Sequence, residues 1–208
     1  KGLKKKNLYP VNNKPLISWT IESAISSHYL EKIFVSSDDN SILEIASKEG
    51  VNCIERPANL AEDTSSMESV IMHSIEQIDK QGIRFKYLIL LQPTSPFRSK
   101  RLVKKGIDIF KNGRKSVIAV SPLKKNKALQ KGDFQINKKK QLKYYNQELK
   151  NNIYRTNGSL YITSSKHLIK YNDFKREKSY PLIIKNSKLS LDIDTPMDFR
   201  KAEKFSRN

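Results

Sequence analysis

Two aspartates one residue apart, Asp192 and Asp194 in Ser190-Leu-Asp-Ile-Asp-Thr-Pro196, are the residues best suited to hold a divalent cation in this chain. In an extended segment residues i and i+2 point to the same side, so the two carboxylates converge. Converging carboxylates repel each other unless a cation lies between them, typically Mg²⁺ arriving with nucleotide phosphates. A capping role for Asp194 or Thr195, at a helix opening with Pro196, explains one acid but not the pair. The opposite charge gathers at the chain start, Lys1-Gly-Leu-Lys-Lys-Lys-Asn7. A glycine among lysines can wrap a polyphosphate, because backbone N–H groups and ammonium charges both favour an anion. A basic tail alone would look the same.

Two hydroxyl-rich segments supply further polar groups. In Leu88-Ile-Leu-Leu-Gln92-Pro-Thr-Ser-Pro-Phe-Arg98 an aliphatic run ends at a glutamine and turns through Thr94 and Ser95 toward Arg98. The run reads as a strand buried on both faces of a parallel sheet. Its polar turn then sits at the carboxyl end, where open α/β sheets bind ligands. The other segment, Glu55-Arg-Pro-Ala-Asn-Leu-Ala-Glu-Asp-Thr-Ser-Ser66, leads into a helix. There Thr64 or Ser65 is a candidate N-cap, with Glu68 closing a capping box from Ser65. A phosphate-wrapping start, hydroxyl-rich turns and an acidic pair together point to a nucleotide-dependent transferase.

The elements that must carry these groups alternate along the chain. Helical spacing predicts helices over residues 15–29, 41–48 (closed by Gly50), 65–81, 100–111 and 196–205. Strands are predicted at residues 32–37, 51–55, 88–91, 116–120, 158–163 and 182–185. The β-α-β-α order is that of a layered, mostly parallel α/β sheet in one domain spanning residues 1–208. Residues 122–155 break the pattern. They are polar and Lys-rich with two short alternating pieces, 134–136 and 142–145, and read as an arm or hairpin excursion.

Composition narrows the class. No stretch approaches the roughly 18 apolar residues of a membrane span, and no signal-peptide pattern is read in residues 1–208. A single cysteine, Cys53, excludes an internal disulfide and suits a reducing, cytoplasmic setting. The net charge of +19 raises the question of nucleic acid. Only nine of the 40 basic residues are Arg, and the lysines are spread over every segment. Bidentate phosphate and base recognition favours clustered Arg, so a dedicated nucleic-acid surface is not expected.

The chain resembles the acylneuraminate cytidylyltransferases, the CMP-sialic acid synthetases, over nearly its whole length. Five motifs carry the likeness in order: Lys1-Gly2-Leu3 with Lys6-Asn7; Arg56-Pro-Ala with Leu60-Ala61 and Asp63-Thr64; Leu90 through Arg98; Asn157-Gly158 with Tyr161-Ile162; and Asp192-Ile-Asp194-Thr. The resemblance implies a Rossmann-like fold of the nucleotide-diphospho-sugar transferase type, with residues 122–155 as a dimerisation arm and a homodimer as the assembly. It implies a reaction in which CTP and a nine-carbon 2-keto sugar acid give a CMP-sugar and pyrophosphate. Carried over residue by residue, Lys6 and Asp194 would be catalytic. Lys1, Asn7, Arg56 and Ser65 would bind nucleotide, Gln92 and Asn157 the sugar acid, and Asp192 and Asp194 the Mg²⁺.

Three departures from the family pattern stand out. The family's first strand and its loop arginine are expected to precede Lys1, so the natural chain is expected to extend further at its N-terminus. The arm has Lys127 where a proline is usual, and Asn146-Gln-Glu-Leu-Lys150 in place of an Arg-Gln pair before Leu-Pro. Met67 stands where many members have serine. The nearest enzymatic alternative, 3-deoxy-manno-octulosonate cytidylyltransferase, usually carries Gln-Gly-Asp-Glu-Pro where this chain has Gln92-Pro-Thr-Ser-Pro96. A family member without activity, or a basic nucleic-acid-binding protein, are the remaining readings.

Overall fold

The computed structural model describes residues 5–62, 64–123, 128–129, 133–144, 152–171 and 178–207. A 3-10 turn at Lys6–Leu8 leads into a small hairpin, β1 (Pro10–Val11) and β2 (Lys14–Pro15). It reverses through Asn12 and Asn13, both with positive φ, a conformation asparagine tolerates better than most residues. Then follow α1 (Leu16–Ser26), β3 (Phe34–Ser37), α2 (Asn40–Lys48), β4 (Asn52–Glu55), α3 (Met67–Lys80), β5 (Tyr87–Leu90) and α4 (Lys100–Lys111). The second half runs β6 (Ser116–Pro122), β7 (Phe134–Ile136), β8 (Leu142–Tyr144), β9 (Tyr154–Ser164), α5 (Ser165–Tyr171), β10 (Tyr180–Ile183) and α6 (Pro196–Ser206). The alternation read from the sequence is present; α5 and the hairpin of β1 and β2 are additions to it.

Strands β5, β6 and β10 run the same way, with β10 paired parallel to β6. Strand β9 runs against them and lies between β5 and β6, pairing antiparallel with both. Among the described residues of the excursion no crossover helix lies between β6 and β9, in keeping with the reversed direction. The parallel pair β3 and β4 forms a separate two-stranded sheet. Strand β5 was expected to be buried on both faces of a parallel sheet. It is instead half-buried along its length and pairs antiparallel with β9; among the described residues no strand lies on its other edge. Within the excursion β7 and β8 form the expected hairpin, Phe134 stacking on Tyr144 at 5.0 Å between ring centroids.

Alternate residues of β6 serve two cores, as a sheet covered on both faces requires. Ile118 and Val120 meet Ile71 and Ile75 of α3 together with Phe134, Leu142 and Leu168. Val117 and Ala119 meet Val103 and Ile107 of α4 with Leu160, Ile162 and Leu182. A smaller core of Val11, Leu16, Phe97, Ile193 and Ala202 pins the segment before α6 to α1. Among the described residues four side-chain caps define helix starts, Asp39 opening α2 by accepting from Ser41 N–H at 2.9 Å. Ser99 opens α4, and Thr195 forms a capping box with Asp198 at α6. At α3 the cap is Ser66, whose Oγ accepts from Ser69 N–H at 3.0 Å, in place of Thr64 or Ser65. The box expected between Ser65 and Glu68 does not form, because adjacent serines compete for one cap and the helix starts a residue later.

Gly106 lies in α4 where it crosses β9. A Cβ there would come within 2.3 Å of Leu160 Cδ2 and 3.2 Å of Ile162 Cδ1. Alanine gains about 1 kcal/mol of helix propensity, but overpacking a buried contact costs about 1–3 kcal/mol. Gly106→Ala is therefore expected to lower stability by about 1 kcal/mol in urea unfolding, and Gly106→Val by more. An unchanged or raised midpoint for the alanine variant would show that Leu160 can move aside.

Candidate active site

The sheet's irregularity places the site. Between β6 and β9 the pairing jumps from Ile118↔Tyr161 to Val120↔Thr156, so the strand from Asn157 to Leu160 bulges out opposite Ala119. Bulges of this kind re-aim side chains beside functional sites. Gly158 within it has φ +73°, and a Cβ there would lie 2.6 Å from Gln92 Oε1 and 2.7 Å from Ser95 Oγ. The turn after β5 thus packs directly on bare backbone. Gln92 N–H donates to Gly158 O at 3.1 Å, and Ser95 Oγ donates to Asn157 O at 2.5 Å.

Asn157 is buried and already engaged. Its Nδ2 donates to Ser121 Oγ at 2.7 Å and its Oδ1 accepts from Ser159 N–H at 3.1 Å. The Gln92 carboxamide is freer: its Nε2 donates only to Met67 Sδ, at 3.6 Å. Met67, the first residue of α3, therefore reaches the same wall as Gln92.

From its other side the turn holds the acidic segment. Thr94 O accepts from Ile193 N–H at 2.8 Å, and the Thr94 hydroxyl bonds the Asp192 carboxylate. Ile193 is fully buried, Asp194 is exposed and Asp192 is half-buried. Burial pushes the Asp192 carboxyl up to about 6; the charge of Asp194 adds to this, while Thr94 and Lys6 oppose it. Lys6 Nζ holds the second acid, donating to Asp194 Oδ1 at 2.7 Å and to Ile193 O at 3.3 Å. Lys6, Gln92, Asn157, Asp192 and Asp194 are thus joined through one turn.

Arg56 and Asn7 belong to a neighbouring wall at the ends of β3 and β4. Arg56 Nη2 donates to Asp38 Oδ1 at 2.7 Å, and Arg56 N–H donates to Ser37 O at 2.9 Å. Burial alone would raise the Asp38 carboxyl, but the bond and charge of Arg56 hold it below its ordinary value. Lys5 reaches Asp39 at 3.7 Å and ties the 3-10 turn to this wall. Ser65 turns away, its Oγ donating to Asn59 O at 3.0 Å to close its own link, and no bond joins it to Arg56. Lys1 lies outside the described residues.

Four buried polar atoms of these segments have no partner among the described residues: Asn7 Oδ1, Ser36 Oγ, Arg56 Nε and Asp192 Oδ1. A buried polar group left unpaired costs about 1–3 kcal/mol, so a cluster of them marks where a polar ligand belongs. Asp192 Oδ1 with the exposed Asp194 carboxylate suits Mg²⁺, which takes one or two carboxylates and completes its shell with phosphate oxygens and water. Two participants were given no role in the sequence reading, Asp38 and Gly158, while Thr94 was named there only as part of the polar turn. Asp38 stood in the run Ser36-Ser-Asp-Asp39 at a strand end, which was the available signal.

Comparison with known proteins identifies the family. The sequence model of the Cytidylyltransferase family matches residues 1–208. The CMP-N,N'-diacetyllegionaminic acid synthase of Legionella pneumophila is 35% identical over 99% of this chain and 90% of its own length. The N-acylneuraminate cytidylyltransferase of Escherichia coli is 32% identical over 97% of this chain, which spans 48% of that longer protein. A solved CMP:2-keto-3-deoxy-manno-octonic acid synthetase complexed with CTP superposes with a TM-score of 0.73 over 97% of this chain and 91% of that one. At 14% identity this last likeness speaks for the fold alone. Matched from end to end by the family's sequence model, the chain belongs to the cytidylyltransferases, enzymes that use CTP.

Proposed function

We propose that this cytidylyltransferase activates a nine-carbon 2-keto sugar acid of the sialic type, forming a CMP-sugar and pyrophosphate. The observation that carries the reading is Lys6 Nζ at 2.7 Å from Asp194 with the half-buried Asp192 beside it, at the foot of a turn shared with Gln92. An ammonium and two carboxylates there suit a triphosphate bound with Mg²⁺. The first two relatives, named for acids of this class, support the choice of acceptor.

In this reading the anomeric hydroxyl attacks the α-phosphorus. The O–P bond forms as the bond from phosphorus to pyrophosphate breaks, with loss of the hydroxyl proton. Such displacement depends on positioning and charge neutralisation. Lys6 offsets charge building on the phosphates, and Lys1 with Asn7 and Arg56 holds the nucleotide. Ser65 serves the nucleotide indirectly, by closing the link that carries Arg56 toward α3. Gln92 addresses the sugar acid with its open carboxamide, and Asn157 shapes that wall through the bulge. Asp192 and Asp194 would hold Mg²⁺, which when bound polarises phosphoryl oxygens. The excursion around β7 and β8 serves as the arm of a homodimer. The exposed free thiol of Cys53 suits a reducing cytoplasm, and among the described residues no helix is long and apolar enough to cross a membrane.

Pyrophosphate release with CTP, Mg²⁺ and a panel of sialic-type acids tests the reading directly; an octulosonate used in preference to every nine-carbon acid would overturn it. Asp194→Ala is expected to cut turnover by about 10³-fold while shifting stability by no more than about 0.5 kcal/mol, since the side chain is exposed. Full turnover in that variant would remove the metal role. Gly158→Ala must displace Gln92, and misplacement on this scale costs about 100-fold. The loss is expected in kcat/KM for the acid, with CTP affinity retained.

A further inference from the structure

Arg98 closes the Leu90 to Arg98 motif and has no part in the chemistry above, yet it is one of the most unusual groups in the chain. Its residue is 4% exposed, and every partner of its guanidinium is neutral. Nε donates to Ser159 O at 2.9 Å, Nη1 to Thr20 Oγ1 at 2.9 Å and Nη2 to Gln92 O at 2.5 Å. These acceptors come from the β9 bulge, from α1 and from the turn after β5. The Arg98 carbonyl is itself fixed by Ser23 Oγ of α1 at 3.0 Å. Among the described residues no carboxylate pairs with the guanidinium. Burial pulls its pKa down only to about 9, so the side chain remains a cation at neutral pH.

A buried charge without a counter-ion is costly and is tolerated only where it is fully hydrogen-bonded and useful. The planar fork of Arg can meet three diverging acceptors, whereas one ammonium cannot span them with the same geometry. The consequence falls on Gln92. Its N–H is held by Gly158 O and its carbonyl by Arg98, so both backbone groups are fixed and only the carboxamide is left for a ligand. The cation lies against the backbone carbonyl of the residue that carries that carboxamide, sealed from the water that would screen it.

We propose that Arg98 is the positioning residue of the sugar-acid wall: it clamps the Gln92 backbone to the β9 bulge, and its uncompensated charge gives that wall the positive potential an anionic acceptor requires. The inference rests on the reading that Gln92 faces the sugar acid. It goes further in assigning to a buried arginine the wall's preference for a carboxylate.

The test uses Arg98→Lys and Arg98→Gln in the full chain, with two independent measurements. Steady-state kinetics should show the KM for the acid raised about tenfold or more in Arg98→Gln, the scale of a lost interaction with a charged group. The KM for CTP should stay within about threefold, and Arg98→Lys, which keeps the charge, should recover most of the KM for the acid. Equal effects on both substrates, or no difference between Lys and Gln, would overturn the electrostatic role. Amide hydrogen exchange, which needs no turnover, reads the clamp. Residues 88–98 and 157–160 should lose protection about tenfold or more in both variants while α2 keeps its own. Uniform loss across the chain, or unchanged exchange in the turn, would overturn the clamp. Should neither variant fold, Thr20→Val removes one acceptor and is read by the same two measurements. If the wild type releases no pyrophosphate with any acid, the functional reading fails, and the exchange experiment still decides the clamp.

Discussion

The site depends on one defect in the sheet. Strand β9 is long, and a regular strand would continue its ladder with β6 unbroken. Instead it spends residues Asn157 to Leu160 against Ala119 alone. The backbone released there provides Asn157 O, Gly158 O and Ser159 O as acceptors for Ser95, Gln92 and Arg98. Without the bulge those carbonyls would be consumed by neighbouring strands, and the turn after β5 would have nothing to dock on. Because the same turn bonds Ile193 and Asp192, the acidic segment inherits its position from the bulge as well.

That chain of contacts sets a tension between stability and chemistry. Core packing on either side of β6 is conventional and apolar. The strand ends, by contrast, keep Asn7 Oδ1, Ser36 Oγ, Arg56 Nε and Asp192 Oδ1 without partners, and Asp192 is pushed up to about 6 by burial. A sequence selected for stability alone would pair or remove such groups. Their retention on elements fixed by Thr195, Ser66 and the core around Ile193 is the pattern of a site preorganised for a polar, charged ligand.

Much of this was legible in one dimension. The halt of an aliphatic run at Gln92, the spacing of Asp192 and Asp194, and Arg56 after a strand are local signals that survive folding, since each sits at an element's end. The bulge was not legible: Gly158-Ser-Leu-Tyr-Ile-Thr reads as an ordinary strand, and register against a partner is not encoded in its own period. Nor was the direction of β9, which runs against both β5 and β6. Arg98 was read as the end of the polar turn after Gln92, and only the fold shows it buried and bonded to the Gln92 backbone. Ser65 and Ser66 could each cap α3, and a preference between neighbours of one chemistry lies below what spacing resolves.

The strong positive balance also takes on a different meaning at the site. Net charge acts at long range and is screened within about 10 Å at ordinary ionic strength, so +19 spread over the surface can draw anions in but cannot choose among them. Choice requires charge inside that screening length with water excluded. Among the described residues around the site, Lys6 pairs with the exposed Asp194, Arg56 pairs with Asp38, and only the buried Arg98 meets no acid. The first two are neutralised by their partners until a ligand intervenes. Arg98 is not, and it holds the backbone of Gln92, whose carboxamide meets Met67. In the proposed reading, a thioether and an open carboxamide near a buried cation would favour an acceptor that combines apolar substituents with a negative charge over one that is polar throughout.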